Sequence, residues 1–276
     1  MTLGQLYQQA LTHVGEGAVD QFSILTLIQH HENIASKDLL LTHLDWPAKH
    51  ADAFFTSFRR LQMGEPVAYL IGHTTFLNLQ LKVNPHVLIP RQETEELVTW
   101  ILKHFSSETN LSVVDVGTGS GAIALALKSN RPSWKVLATD ISSLALDVAK
   151  DNARTLKLDL EFSLSDGFQN LPPKFSRSIH LVVSNPPYVN TKGDLHPFVV
   201  DHEPHLALLA NPVTKFYEQY LIEAKPFIKP KAIFAFEIGP ELSTLLPPIV
   251  QSIYPGAKTT ILNDINLKER FIIIYT

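Results

Sequence analysis

Asn185-Pro186-Pro187-Tyr188 directly follows an apolar, strand-like run, His180-Leu181-Val182-Val183-Ser184. The two prolines fix two φ angles and remove two N–H donors. Each residue before a proline is pushed toward extended backbone. The result is a stiff corner with carbonyls free to accept, on which the side-chain oxygen of Asn185 and the carbonyl of Pro186 can face one NH₂ group together. Methyl transfer to a planar amino or amide nitrogen needs such a pair. The lone pair of that nitrogen is delocalised, so it is a weak nucleophile; two acceptors on its hydrogens push density back and orient it for in-line displacement. Tyr188 can stack on the substrate plane, and its ring face suits a cationic methyl donor. No covalent enzyme intermediate is required.

A second segment supplies a cofactor loop. Val113-Val114-Asp115-Val116-Gly117-Thr118-Gly119-Ser120-Gly121 runs from a strand into a helix that continues through Ala122–Leu127. Gly117 and Gly119 allow a tight turn and close approach of a ligand to the backbone, and the helix start offers unpaired N–H groups. Asp140 ends the next strand, 23 positions after Gly117, where an acid can accept from both ribose hydroxyls of a nucleotide. That much suits NAD as well. Asp115 and Asp166 add two further acids at the carboxyl ends of neighbouring strands, predicting an acidic crevice. Such a crevice repels a pyrophosphate and suits S-adenosylmethionine, whose ammonium and sulfonium outweigh its one carboxylate. Asp166 is placed to take the adenine amino hydrogens.

Composition narrows the field. The 276 residues include no cysteine, which removes disulfides, cysteine zinc sites and a thiolate nucleophile, and with it ring methylation of cytosine. Net charge is −4, a poor default for a polyphosphate binder. The start lacks a secretory pattern, and apolar runs such as Phe271–Tyr275 fall far short of the roughly 20 residues that span a bilayer. No membrane is expected and a cytoplasmic setting is. The 12 histidines show no metal-ligand spacing (Pro204 interrupts His202 and His205), so no metal is assigned.

The elements that must position these residues form an α/β chain. Residues 1–73 are expected to be a small helical bundle, with apolar faces through Leu3, Leu6, Tyr7, Ala10, Leu11 and Val14, then Val19, Phe22, Leu25 and Ile28, a third helix capped by Ser36, and a fourth over about 48–62 with Phe54, Phe55, Phe58 and Leu61 inward. Residues 74–90 read as a connecting β-hairpin, with Asn84-Pro85-His86 as its turn between Phe76–Val83 and Val87–Ile89. Residues 91–276 alternate: a helix over 93–104, strands over 111–115, 135–140, 159–164, 179–184, 231–238, 258–263 and 270–275, and helices near 121–129, 142–156 and 213–228. This predicts a mainly parallel seven-stranded sheet covered on both faces, with an antiparallel pair at one edge.

With these residues in hand, the chain resembles the release factor glutamine methyltransferases (the PrmC/HemK family) within the class I S-adenosylmethionine-dependent methyltransferases. The resemblance runs through Gly64–Gly72, Leu88–Glu95, Asp115–Gly121, Asp140-Ile141-Ser142, Ser165-Asp166, Val183–Val189, Glu203-Pro204, Glu237-Ile238-Gly239, and Asp264 with Arg270. It implies a five-helix N-terminal domain joined by a hairpin to a Rossmann-like methyltransferase domain. The implied substrate is the glutamine of the Gly-Gly-Gln motif of bacterial class I peptide chain release factors, the product N5-methylglutamine, and the spent cofactor S-adenosylhomocysteine. Gly117, Thr118, Gly119, Ser120, Gly121, Asp140, Asp166 and Asn185 are the implied cofactor residues. Asn185, Pro186, Pro187 and Tyr188 would hold the glutamine amide, with Asn185, Pro186 and Tyr188 catalytic. The chain departs from the family in Gln92, where proline is usual, in Gly167, where a tryptophan often stands and whose adenine packing would fall to Phe168, and in Leu208–Pro212, which replaces a glycine-rich segment.

The alternative is an adenine-N6 methyltransferase acting on DNA or RNA, which needs the same grip on a flat NH₂ but also a basic surface. Residues 1–73 hold Lys37, Lys49, Arg59 and Arg60 against Glu16, Asp20, Glu32, Asp38, Asp45, Asp52 and Glu65. No stable nucleic acid partner is expected. The intact Asn185 argues against a non-catalytic scaffold.

Overall fold

The computed structural model describes residues 1–276. The chain divides into two compact units, Met1–His73 with His196–His202, and Thr74–Leu195 with Glu203–Thr276.

The first unit holds α1 (Leu3–Leu11), α2 (Gln21–Glu32), α3 (Lys37–Thr42), α4 (Ala51–Gln62) and α5 (Val67–Ile71). Short polar residues start the first three. Thr2 makes a reciprocal capping box with Gln5, Asp20 accepts from the Ser23 N–H, and Ser36 accepts from the Leu39 N–H. Leu3, Leu6, Ile24, Leu27, Ile28, Leu40, Phe54, Phe58 and Leu61 form the core, with the Phe54 and Phe58 rings stacked at 5.4 Å. Two residues expected inside lie out: Val14 falls beyond the end of α1, and Phe22 is 63% exposed, its ring covered by the Lys37 ammonium at 3.2 Å. Phe55 is half-buried and α4 begins three residues later than expected. Gly64 has φ +93°, and a Cβ there would lie 2.3 Å from the Phe198 ring. Only glycine lets the later segment His196–His202 pack onto this unit.

In the second unit β1 (His73–Phe76) and β2 (Leu79–Lys82) form the two-stranded sheet. Its turn is Leu77-Asn78, with Leu77 in the left-handed region at φ 51°, not Asn84-Pro85-His86. Residues 83–91 follow as irregular chain, so Val87–Ile89 is not a strand. Then come α6 (Gln92–His104), β3 (Ser112–Val116), α7 (Ala122–Asn130), β4 (Lys135–Asp140), α8 (Ser143–Leu156), β5 (Glu161–Leu164) and β6 (Ile179–Ser184). The short α9 (Pro197–His202) belongs to the first unit; after it the second unit resumes with α10 (Lys215–Glu223), β7 (Ile228–Glu237), α11 (Leu242–Ile253), β8 (Lys258–Asn263) and β9 (Glu269–Tyr275).

The seven strands run β5-β4-β3-β6-β7-β9-β8, with β3 to β7 parallel and β9 antiparallel to both neighbours. The inner strands β3, β4 and β6 and the second half of β7 are nearly continuous apolar runs because both faces are buried, one under Leu97, Leu125, Leu127 and Trp134, the other under Tyr217, Leu221, Leu246 and Val250. From β3 the chain winds one way through β4 and β5, then returns to β6 on the other side. That reversal opens a crevice beyond the carboxyl ends of β3 and β6, where the glycine loop and the Asn-Pro-Pro-Tyr segment begin. α11 was not expected, since Pro247 and Pro248 lie inside it. Burial of Leu242, Leu246 and Val250 along one face outweighs the two lost N–H bonds. No helix is long and apolar enough to cross a membrane.

Candidate active site

The glycine loop is tied down from below. The N–H groups of Gly117 and Thr118 both donate to the Thr139 carbonyl, at 2.9 and 2.8 Å. Asp140 at the end of β4 accepts from the Gly119 N–H through Oδ2 and from the Ser142 N–H through Oδ1, both at 2.9 Å. Burial pushes its pKa up, and these N–H groups oppose that rise. Gly117 and Gly119 have φ of +73° and +56°, and a Cβ at either would meet nothing within 4 Å. The backbone there borders open cleft.

Asp115 does not line the crevice as expected. It is buried beneath the loop, where Oδ2 accepts from the Thr118 hydroxyl at 2.6 Å and the Ala124 N–H at 3.1 Å. Its Oδ1 has no partner, and burial pushes its pKa to about 7. Thr118 is therefore committed to Asp115. Ser120 is buried with its carbonyl accepting from Asn152 Nδ2 at 2.9 Å, and a Cβ on Gly121 would strike Leu125 at 2.8 Å. These three residues shape the loop and do not face the cleft. Asn152, which also exchanges two hydrogen bonds with the Lys82 backbone, carries no sequence signal beyond a polar residue on an amphipathic helix.

The cleft itself is lined by Gly117, Gly119, Asp140, Asp166, Asn185, Pro186 and Pro187 from the expected set, joined by Ile141, Leu88, Leu206, Phe216 and Tyr220. Two acids, not three, face it. Asp166 Oδ1 accepts from Gln219 Nε2 at 3.1 Å. Phe168 cannot serve a ligand: it is buried and stacked on Phe227, with ring centroids 5.9 Å apart. The cleft aromatics are Phe216 and Tyr220 on α10. Gly167 is explained locally, since a side chain there would collide with the Glu223 carboxylate at 2.4 Å.

Opposite the glycine loop, Asn185 points its Nδ2 to the Thr94 hydroxyl at 3.2 Å, and that hydroxyl donates to Glu237 Oε2 at 2.6 Å. Tyr188 lies outside the cleft lining. Its hydroxyl donates to Glu237 Oε1 at 3.2 Å and its ring packs on Gly239, so the half-buried Tyr188 is an anchor here and does not line the cleft for the expected stacking. Burial and the neighbouring Glu237 carboxylate raise the Tyr188 pKa. Glu237 is itself buried and pushed up to about 7, chiefly by that burial. In the sequence Thr94 and Glu237 stand out only as parts of longer motifs. Beside the cleft, Glu203 accepts from the Ile89 N–H at 3.2 Å and from Arg91 at 2.5 Å, tying residues 86–91 to the turn that carries Leu206.

The protein-family model described as methyltransferase small domain matches residues 93–202. A release factor glutamine methyltransferase of Streptococcus pneumoniae is 39% identical over 220 residues, covering 79% of this chain and 77% of that one. One of Bacillus cereus is 32% identical over 280 residues, covering 99% and 98%. The chain belongs to the release factor glutamine methyltransferase family. In this family member the segments Gly64–Gly72 and Leu88–Glu95 have distinct structural duties: Gly64 makes room for Phe198, and Thr94 backs Asn185. The fold of these methyltransferases is shared more widely. The ribosomal protein L11 methylase of Lactobacillus delbrueckii subsp. bulgaricus superposes with a TM-score of 0.52 at 16% identity, covering 71% of this chain and 84% of that one. A methyltransferase from Pyrococcus furiosus superposes at 0.51 and 16%, covering 73% and 90%.

Proposed function

We propose that the protein transfers a methyl group from S-adenosylmethionine to the side-chain amide nitrogen of the glutamine in the Gly-Gly-Gln motif of bacterial class I release factors. The observation that carries this reading is that Asn185, Pro186 and Pro187 line the same cleft as Gly117, Gly119, Asp140 and Asp166. A flat-nitrogen grip and a cationic-nucleotide site thus share one space.

The residues fit the cofactor. Two carboxylates suit its net positive charge, the open backbone at Gly117 and Gly119 admits close approach, and Phe216 and Tyr220 offer flat apolar surface for adenine. When bound, the cofactor supplies an electrophilic methyl on a positively charged sulfur. Asp140 would accept from the ribose hydroxyls and Asp166 from the adenine amino group; Thr118, Ser120 and Gly121 would act by holding the loop. Asn185 Oδ1 and the Pro186 carbonyl would each accept one amide hydrogen of the substrate glutamine, which fixes the nitrogen and raises its electron density. The nitrogen gains the methyl and loses one proton, so the product is N5-methylglutamine, S-adenosylhomocysteine and H⁺. Pro187 stiffens the corner and Tyr188 holds its far end. Residues 1–73 form the helical domain, 74–90 the linker and 91–276 the methyltransferase domain of this reading, and the cytoplasm, where release factors act, is its setting.

Incubation with methyl-labelled S-adenosylmethionine and, in parallel, purified release factor or nucleic acid tests the reading. Label on the release factor is expected; label on nucleic acid alone would reject it.

A further inference from the structure

An asparagine amide is nearly symmetric in shape but opposite in polarity at its two ends. Gripping a substrate NH₂ requires Oδ1, not Nδ2, to face it, and the stiffness of the Asn-Pro-Pro corner does not decide which end is presented. We infer that Glu237 and Thr94 are positioning residues that set this polarity, acting through Asn185 in the methyl transfer proposed above, on which this inference rests.

The geometry forces one direction. Ionised Glu237 can only accept, and its Oε2 takes the single proton of the Thr94 hydroxyl at 2.6 Å. Thr94 Oγ1 then has only lone pairs to offer, so the Asn185 atom 3.2 Å away must be Nδ2. Oδ1 is left for the substrate. The second carboxylate oxygen takes the Tyr188 hydroxyl at 3.2 Å, so one buried group secures both ends of the Asn185–Tyr188 segment. A protonated Glu237 reverses the logic: it can donate to Thr94, which can then donate to Asn185 Oδ1. The amide would turn and present N–H to N–H.

Several groups surround this carboxyl. Thr94 and Glu93 approach from α6, Tyr188 from the loop after β6, and Arg270 from β9, itself paired with Asp264 at 3.2 Å; Tyr217 on α10 donates to the Glu237 backbone carbonyl at 2.7 Å. Burial and Glu93 favour the protonated form, while Thr94, Tyr188 and Arg270 favour the ionised one, leaving the group near pH 7. Turnover should therefore fall as pH drops through about 7, with cofactor affinity following a different profile.

The test uses the full-length enzyme, S-adenosylmethionine and a release factor. Thr94→Val keeps shape and deletes the relay. It should lose about tenfold or more in kcat with cofactor Kd little changed, and Thr94→Ser should recover most of the loss. Glu237→Gln should flatten the acid limb of the kcat profile. If the parent enzyme leaves the release factor glutamine unmodified, the activity reading fails. If the parent methylates it and Thr94→Val does so at the parent kcat, or Thr94→Ser is as poor as Thr94→Val, the relay is overturned while the activity reading stands.

Discussion

The Gly119 N–H donates to Asp140 Oδ2 at 2.9 Å, so the carboxylate that faces the cleft from β4 also holds the loop that follows β3. The two halves of the expected nucleotide site are thus one mechanical unit. Asp140→Ala should weaken S-adenosylmethionine binding about 10- to 100-fold, because it removes ribose acceptors and releases two backbone donors at once. Calorimetry reads this directly, and an unchanged affinity would contradict the assignment. Asp140→Asn, which keeps one acceptor oxygen, should lose less.

Asn185 is expected to separate binding from chemistry. Asn185→Ala should hold cofactor affinity within a few-fold and lower turnover about 100- to 1000-fold, the usual cost of one preorganised polar contact in a transition state. Single-turnover rates at saturating cofactor distinguish the two effects. A variant that turns over like the parent removes Asn185 from the mechanism.

Buried Asp115 gives a pH-dependent stability. Its pKa rises from an ordinary 3.8 to about 7 in the folded chain. Between about pH 4 and pH 7 the folded state therefore holds a proton that the unfolded chain has released, and unfolding free energy falls as pH rises through that window. Asp115→Asn removes this dependence while keeping an acceptor for Thr118 and Ala124. Its stability relative to the parent should improve from pH 5 to pH 8, as urea unfolding at both values would show. A difference independent of pH would mean that Asp115 is ionised in the folded protein across the range.

Arg91 and Glu203 make the ion pair that ties residue 91 to the turn beside the cleft. The Glu203 side chain is almost wholly buried and Arg91 is about one-third exposed. Arg91→Ala leaves a buried carboxylate with only the Ile89 N–H, and should cost about 2 kcal/mol, less than for a fully buried pair because the guanidinium is partly solvated. Adding Glu203→Gln should restore part of that loss. With Glu203→Gln measured alone as well, a double-variant loss equal to the sum of the two single losses would show the pair to be uncoupled.

Much of the fold was readable because its signals are local. The inner parallel strands are apolar on both faces, so β4 and β6 begin and end where composition places them, and the glycines mark the cofactor loop. The failures share a cause. Asn84-Pro85 is a strong turn signal, yet the hairpin turns at Leu77-Asn78, because Phe76, Leu79 and Leu81 are drawn into the core and Glu95 accepts the Leu77 N–H at 2.8 Å. Pro247-Pro248 hides a helix that tertiary burial supports. In the site, residue identity was legible and partnership was not: Thr94 and Glu237 lie 143 positions apart, and Asp115 and Tyr188 are turned from the cleft by partners that only the folded chain supplies.

The central claim is a grip on one glutamine amide nitrogen. Its most direct test is a peptide mass map of a full-length release factor after reaction with the protein and S-adenosylmethionine. One added methyl is expected, on the side-chain amide of the Gly-Gly-Gln glutamine, and far less of it at the same reaction time when Asn185→Ala replaces the parent enzyme. A methyl on any other residue, or an unmodified release factor beside methylated nucleic acid, would contradict the account.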